Sequence, residues 1–481
     1  MNFRIISYIL GWVLLIEAAF LLLPYMIGVI YGESAASAFL LAAVICALAG
    51  LPSVIKKPKQ IVFFVREGFL TVALSWLVLS LFGALPFVFS GEIPSYIDAF
   101  FEAVSGFTTT GSSILSDVES LSHASLFWRS FTHWIGGMGV LVFLLAILPL
   151  AGGSQMHLMK AESPGPSVNK LVPKTRSTAI ILYFIYIVLT ILQFIILLLC
   201  DMPAFDAITT TFGTAGTGGF GIKNSSLADY SPAIQWVVGI FMMLFGVNFG
   251  VFFLLLLKKW RAALSSEELK TYLFIISSAT LLIFINIHRT GMPLSETIRH
   301  AFFQVSSIIT TTGFATADFD VWPAFSKVIL VLLMFVGACA GSTGGGIKVS
   351  RIIILVKKAK QELHRYIYPN RVTRIKIEGK SLEEDIITTT SAYLITYVFL
   401  FIVSVLLISF EGHDLTTGFT SVAATINNIG PGLSMVGPTQ NFGFFSNFSK
   451  LILSFDMLAG RLELFPILLL LNPRIWFQKK I

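Results

Sequence analysis

Apolar positions along the chain gather into long runs separated by short polar segments, and a bilayer core requires about 20 apolar residues per crossing helix. Such runs fall near 5–31, 35–54, 68–90, 126–150, 178–200, 232–257, 271–288, 325–356, 387–410 and 449–471. They predict ten transmembrane helices. Four further apolar stretches, near 98–111, 206–219, 299–313 and 417–430, are too short to cross. Each ends in glycine, as a re-entrant helix would, and lipid tolerates such a helix only where protein or a water-filled path surrounds it.

The short stretches are copies of one another. Ala99 to Gly111 and Ala301 to Gly313 are identical at eight of thirteen positions without a gap: Ala, Phe, Phe, one Ser, three Thr and the closing Gly. Weaker copies end at Gly219 and Gly430. Small residues stand twelve before each glycine (Ala99, Ala207, Ala301, Gly418) and again six before it (Ser105, Gly213, Ser307, Ala424). Large apolar residues follow the first of these, at Phe100, Ile208, Phe302 and Phe419. A unit recurring about every hundred residues is a repeat architecture. Each unit reads as helix, re-entrant helix with a glycine turn, helix. The divisions are two leading helices in 1–67, then repeats at 68–176, 177–270, 271–385 and 386–481.

Composition changes the picture only by excluding alternatives. The 481 residues are 55% hydrophobic and 12% charged, with a mean hydropathy of +0.83, about half the charge of an ordinary soluble protein. The chain is an all-α polytopic membrane protein. Its first apolar run is longer than the core of a secretory signal and contains Glu17, so a retained helix is expected. Cys46, Cys200 and Cys339 lie far apart in apolar surroundings, which excludes a disulfide framework. The seven histidines show no metal-ligand spacing.

The net charge of +7 raises nucleic acid as a partner, but the position of the charges argues against it. With the N-terminus inside, 26 of the 33 basic residues fall on the inner side, the largest run extending from Lys348 to Lys380. Six (Arg129, Lys223, Arg289, Arg299, Lys327 and Lys450) fall outside, and Arg461 is left mid-helix. The positive-inside rule then puts both termini in the cytoplasm and makes all four short helices enter from outside. The basic surplus is mainly topogenic, and no nucleic-acid partner is expected.

The repeated turns (Thr109, Thr110, Gly111; Thr217, Gly218, Gly219; Thr311, Thr312, Gly313; Asn428, Ile429, Gly430) hold no base, nucleophile or metal ligand set. Their useful chemistry is the backbone. Glycine permits φ > 0 and can turn carbonyls in one direction. Four such turns around an axis would replace the hydration shell of a monovalent cation, aided by the negative ends of the short helices. Close helix packing by small residues is the bland alternative, but four copies in one topology favour a pore. An alternating-access transporter would show paired inverted repeats. A membrane enzyme would need a catalytic cluster that this sequence lacks.

Two other features stand apart. Gly337 to Gly346 places five glycines in the eighth apolar run. At about 0.8–1 kcal/mol each against Ala, a continuous helix is disfavoured, and an unwound loop lining a cavity is predicted. The Gly337–Gly341 spacing also fits a packing face, but that leaves Gly344, Gly345 and Gly346 unexplained. Ile347 stands where a phosphate-binding loop needs Lys, which excludes that motif. Arg461, near a helix centre, should face water or a partner; Glu463 and Asp456 are at unfavourable helical offsets.

The fourfold plan resembles the Trk, Ktr and HKT superfamily of potassium and sodium transporters, built like a potassium channel with four subunits fused. Trp134–Gly139, Ala161–Pro166, Gly341–Gly346, Asn427–Gly432 and Gly460–Glu463 narrow the resemblance to the TrkH type. By resemblance, Gly111, Gly219 (or Gly218), Gly313 and Gly430 are selectivity positions, and four glycines favour potassium over sodium. The resemblance also makes Gly341, Ser342, Thr343, Gly344, Gly345 and Gly346 a gate below the filter, with Arg461 in the pore beside it. Loop carbonyls and the Ser342 and Thr343 hydroxyls are then acceptors available to the guanidinium. It further implies potassium uptake at the cell membrane, a homodimer, and a cytosolic TrkA-like regulatory subunit that carries the nucleotide. Potassium in the filter is the only bound species expected, with no covalent cofactor, and coupling to protons or sodium stays open.

Overall fold

In a computed structural model the described residues are 3–55, 58, 65–139, 175–289, 291–369, 374–473 and 476. The Ala161–Pro166 motif, nearly all of the inner-side stretch 151–177 and more than half of the one at 54–67 lie outside them. Two leading helices, Phe3–Tyr31 and Ala36–Ile55, form an antiparallel pair. They approach through glycine: a Cβ on Gly11 would stand 2.7 Å from the Gly50 carbonyl oxygen, and the reverse distance is the same. Small residues let helix backbones close in this way inside lipid, where apolar attraction between helices is absent.

The outer helices of the four repeats are Val65–Gly83 (continued by Leu85–Phe89), Thr175–Leu199, Glu267–His288 and Glu384–Ser409. They carry the large exposed apolar side chains, among them Phe184, Phe274, Leu281, Ile395 and Phe399. With the leading pair they make six helices long and apolar enough to cross a membrane. The short helices are Tyr96–Phe107, Ala204–Ala215, Leu294–Ile309 and Leu415–Ile426, each within a few residues of its predicted place. Ser95 and Asp414 cap the first and fourth through the amides of Asp98 and Thr417. Such caps satisfy amides that a helix start leaves unpaired. Proline opens the second and third. All four run through the centre of the molecule, their inner halves buried.

The inner helices differ from the expectation of continuous spans. Pro232–Phe245 breaks at Gly246 and resumes as Phe249–Leu256, bent by 91°. Asn447–Arg461 breaks at Leu462–Leu464 before Phe465–Leu470, and Ala324–Val336 gives way to a loop that ends at Val349–Ile367. In the first repeat His123–Gly137 ends two residues before the described stretch does. Only the third break was legible in glycine content. The fourth repeat's break is marked by backbone geometry: Glu463 and Leu464 take φ of 54° and 68°, values that no propensity scale flags. A two-stranded hairpin, Lys376–Ile377 with Lys380–Ser381, lies beyond the third repeat's last helix.

Candidate functional site: a fourfold ring of carbonyls over a broken inner layer

Each short helix ends in the same way. The amides of Thr110, Gly218, Thr312 and Ile429 donate to the carbonyls of Ser105, Gly213, Ser307 and Ala424, all at 2.8–2.9 Å. One residue earlier, Thr109, Thr217, Thr311 and Asn428 are left-handed, with φ of 55°, 55°, 59° and 55°. This is the Schellman ending, which ordinarily takes Gly or Asn at the left-handed position. Three of the four are β-branched Thr, for which positive φ is a true outlier. Strain repeated at equivalent places is held by the surrounding structure and marks a functional candidate.

Two residues on, Gly111, Gly219, Gly313 and Gly430 have φ of 81°, 76°, 87° and 101°. The second repeat's glycine is therefore Gly219; Gly218 occupies the place of Thr110 and Thr312. The four turns close into a ring. A Cβ on Gly111 would stand 2.0 Å from the Gly218 carbonyl oxygen, on Gly219 2.0 Å from that of Thr312, on Gly313 2.1 Å from that of Ile429, and on Gly430 2.9 Å from that of Thr110. Repeat 1 meets 2, 2 meets 3, 3 meets 4, and 4 returns to 1. The glycines are required both for φ and for this approach, and four equivalent carbonyls are gathered about one axis.

Beneath the ring the loop 337–348 rises against repeats 3 and 4. The Gly345 amide donates to the Thr311 hydroxyl at 2.6 Å. Cβ atoms added at Gly344 and Gly345 would meet the Thr310 and Asn427 carbonyls at 2.9 and 2.7 Å. The loop is anchored on the second repeat's break by Cys339 N to Gly246 O (3.1 Å) and Phe249 N to Gly341 O (3.0 Å). Glu268 accepts from both of its ends, Ala340 N at 2.7 Å and Ser350 N at 3.1 Å. Lys348 turns back to donate to the Gly344 and Gly345 carbonyls.

Arg461 meets this loop. Its guanidinium donates to the Thr343 carbonyl at 2.8 Å and to the Gly136 and Gly137 carbonyls at the end of the first repeat's helix His123–Gly137. The loop's own hydroxyls also tie it down: Ser342 donates to Cys339 O and Thr343 to Phe245 O. Glu463 instead pairs with Arg351, and Asp456 receives the Ser404 hydroxyl. One residue thus ties the third repeat's loop to the end of the first repeat's helix, as a fork of donors allows.

Sequence reading missed several participants. Lys348 and Arg351 were grouped with the inner basic run, yet Arg351 is buried and stacks on Tyr393 at 4.0 Å. Arg129 and Lys450, counted as outer basic residues, are buried in pairs with Glu102 and Asp98 at 2.8 and 2.6 Å. The signal available was an ionisable residue inside an apolar stretch. At the start of the fourth short helix, hydrogen bonds from the Thr417 hydroxyl and amide hold the exposed Asp414 carboxyl below its ordinary range.

Comparison with known proteins agrees with this geometry. The TrkH family, described as cation transport protein, matches residues 35–476. The "Trk system potassium uptake protein TrkH" of Salmonella typhimurium is 40% identical over 490 residues, covering 99% of this chain and all of that one. Its counterpart from Escherichia coli K12 is 40% identical over 495 residues with the same coverage. The crystal structure of the potassium transporter TrkH from Vibrio parahaemolyticus superposes with a TM-score of 0.88 at 34% identity, over 99% of this chain and all of that one.

Proposed function

The chain belongs to the TrkH family of cation transport proteins, and from that premise we propose that it conducts potassium into the cell through one pore built by its four repeats. The observation that carries this reading is the closed ring, in which each filter glycine lies against the preceding carbonyl of the next repeat. Thr109, Thr110 and Gly111 and their counterparts supply oxygens that stand in for water around a dehydrated cation. The decisive experiment compares rubidium and sodium uptake by cells expressing the full chain or Gly111→Ser. Selectivity falls in the variant while the amount inserted in the membrane holds; an unchanged ratio puts the filter elsewhere.

The loop 341–346 is the gate of this pore. Its position is supported by the Gly345 to Thr311 bond and by Arg461, which ties Thr343 to the first repeat. The helix Val349–Ile367 leads from the loop to an exposed end carrying Lys360, Arg365 and Tyr366, a lever that a cytosolic nucleotide-binding subunit of the TrkA kind could move. The nucleotide belongs to that partner and potassium to the filter. The reading includes a homodimer in the plasma membrane, with both termini cytoplasmic as the basic asymmetry supports. Labelling of Lys376→Cys by an impermeant thiol reagent outside intact cells, in a background without Cys46, Cys200 and Cys339, would overturn that orientation.

A further inference from the structure

Behind the ring, the seam between repeats 1 and 2 holds a side chain that the filter reading does not use. His133, on the first repeat's inner helix, is fully buried. Its Nδ1 lies 2.8 Å from the Gly106 carbonyl oxygen, in the last turn of the first short helix. Its Nε2 lies 3.2 Å from the amide of Phe220, the residue after filter Gly219. A backbone amide can only donate, so Nε2 is the acceptor and carries no proton. A carbonyl can only accept, so Nδ1 carries it. The two partners fix a neutral ring in one tautomer.

The ring also touches the filter itself. A Cβ on Gly218 would stand 2.2 Å from the imidazole, and one on Gly216 would stand 2.1 Å from the His133 carbonyl oxygen. The second turn is therefore glycine-rich because His133 occupies the space. Phe220 packs on the imidazole with ring centres 4.3 Å apart, and the Arg129 guanidinium lies over the Phe220 ring at 4.1 Å. Arg129 reaches on to the Gly221 carbonyl at 3.2 Å while paired with Glu102 of the first short helix. The seam between repeats 4 and 1 uses other means, Asn428 to Thr110 Oγ1 at 2.9 Å and Ser112 to Gly430 O at 3.1 Å.

We propose that His133 is a specificity-determining positioning residue, whose imidazole ties the end of the first short helix to the strand leaving the second filter turn and so sets the spacing between the Thr110 and Gly218 carbonyls. The proposal rests on the filter reading above. Selectivity by backbone oxygens depends on their number and spacing, and the ring's two partners, Gly106 and Phe220, lie on the two segments that carry these carbonyls. Two directional bonds fix this spacing better than apolar packing of the same volume.

The test uses cells expressing the full chain with His133→Phe, which keeps the ring shape and loses both bonds, and His133→Gln, which retains a donor and an acceptor. The rubidium-to-sodium uptake ratio falls about tenfold in the first, as two lost hydrogen bonds would allow, and recovers at least partly in the second. Equal loss in both variants, or an unchanged ratio in His133→Phe, overturns the proposal. If Gly313→Ala also leaves the ratio unchanged, the filter reading fails with it; if Gly313→Ala lowers it, only the clamp fails. Should His133→Phe not reach the membrane, nitrogen-15 spectra of histidine-labelled protein, assigned by difference from His133→Gln, report the same point. They should show the His133 proton on Nδ1, and a proton on Nε2 overturns the assignment.

Discussion

The ring of turns and the layer of breaks beneath it differ in one respect that explains both. In the ring the four repeats agree: the left-handed residues span 55–59° in φ, and the helix-closing bonds agree within 0.1 Å. Below it they diverge. Two inner helices break over three residues, at Gly246–Asn248 and Leu462–Leu464, whereas the third opens into twelve, Gly337–Lys348. On the filter reading proposed above, a desolvated ion needs equivalent oxygens from all sides, which would force symmetry on the ring. A gate needs only one movable element and something fixed for it to close against, so the lower layer is free to be unequal.

The largest expected effect tests whether the upper layer is the rigid one. Arg129 and Glu102 pair at 2% and 0% side-chain exposure. Glu102→Ala, which leaves the buried guanidinium without its counter-charge and removes the acceptor of Ser113 Oγ and Ile114 N, should destabilise the protein by about 3–5 kcal/mol. Thermal unfolding of the purified protein in detergent measures it, and a change under 1 kcal/mol would deny that this region is stiff. Next, Gly313→Ala places a Cβ 2.1 Å from a carbonyl in a left-handed conformation. Strain of about 1–3 kcal/mol should lower potassium selectivity by tenfold or more. Gly430→Ala should do less, because its nearest carbonyl is 2.9 Å away. Equal losses at the two positions would mean that the ring is looser than its geometry.

Changes in the lower layer should leave selectivity alone and move flux. Arg461→Ala removes the bond to Thr343 O and the hold on Gly136 and Gly137. Removing Gly344 to Gly346 shortens the segment under Thr311. Each should raise partner-free flux severalfold, and the double change should give less than the product of the two, since both weaken one contact. Multiplicative effects would separate Arg461 from the loop. The smallest effect belongs to Glu268→Gln. The amide keeps an acceptor for Ala340 N and Ser350 N and loses only the charge, so flux should rise less than twofold. A larger rise would make Glu268, rather than Arg461, the main restraint.

The sequence alone determined what periodic apolarity and repetition encode. Long runs required spanning helices, runs too short to cross required re-entrant ones, and four similar endings required four equivalent turns. The ring was thus legible to within one residue, with Gly218 and Gly219 both open until backbone angles chose Gly219. The glycine count exposed the third break because propensity acts locally. The breaks at Gly246–Asn248 and Leu462–Leu464 did not show, since one glycine with a capping Asn248, or a Glu between two leucines, is too weak a local signal inside a long apolar run. Interior charge was misread for the same reason. Lys348 and Arg351 look like any basic residues beside a membrane until Gly344, Gly345 and Glu463 stand next to them. His133 is the clearest case: its partners Gly106 and Phe220 lie 27 and 87 residues away. A tautomer and the clearance at Gly218 are properties of three segments meeting, which no single segment carries.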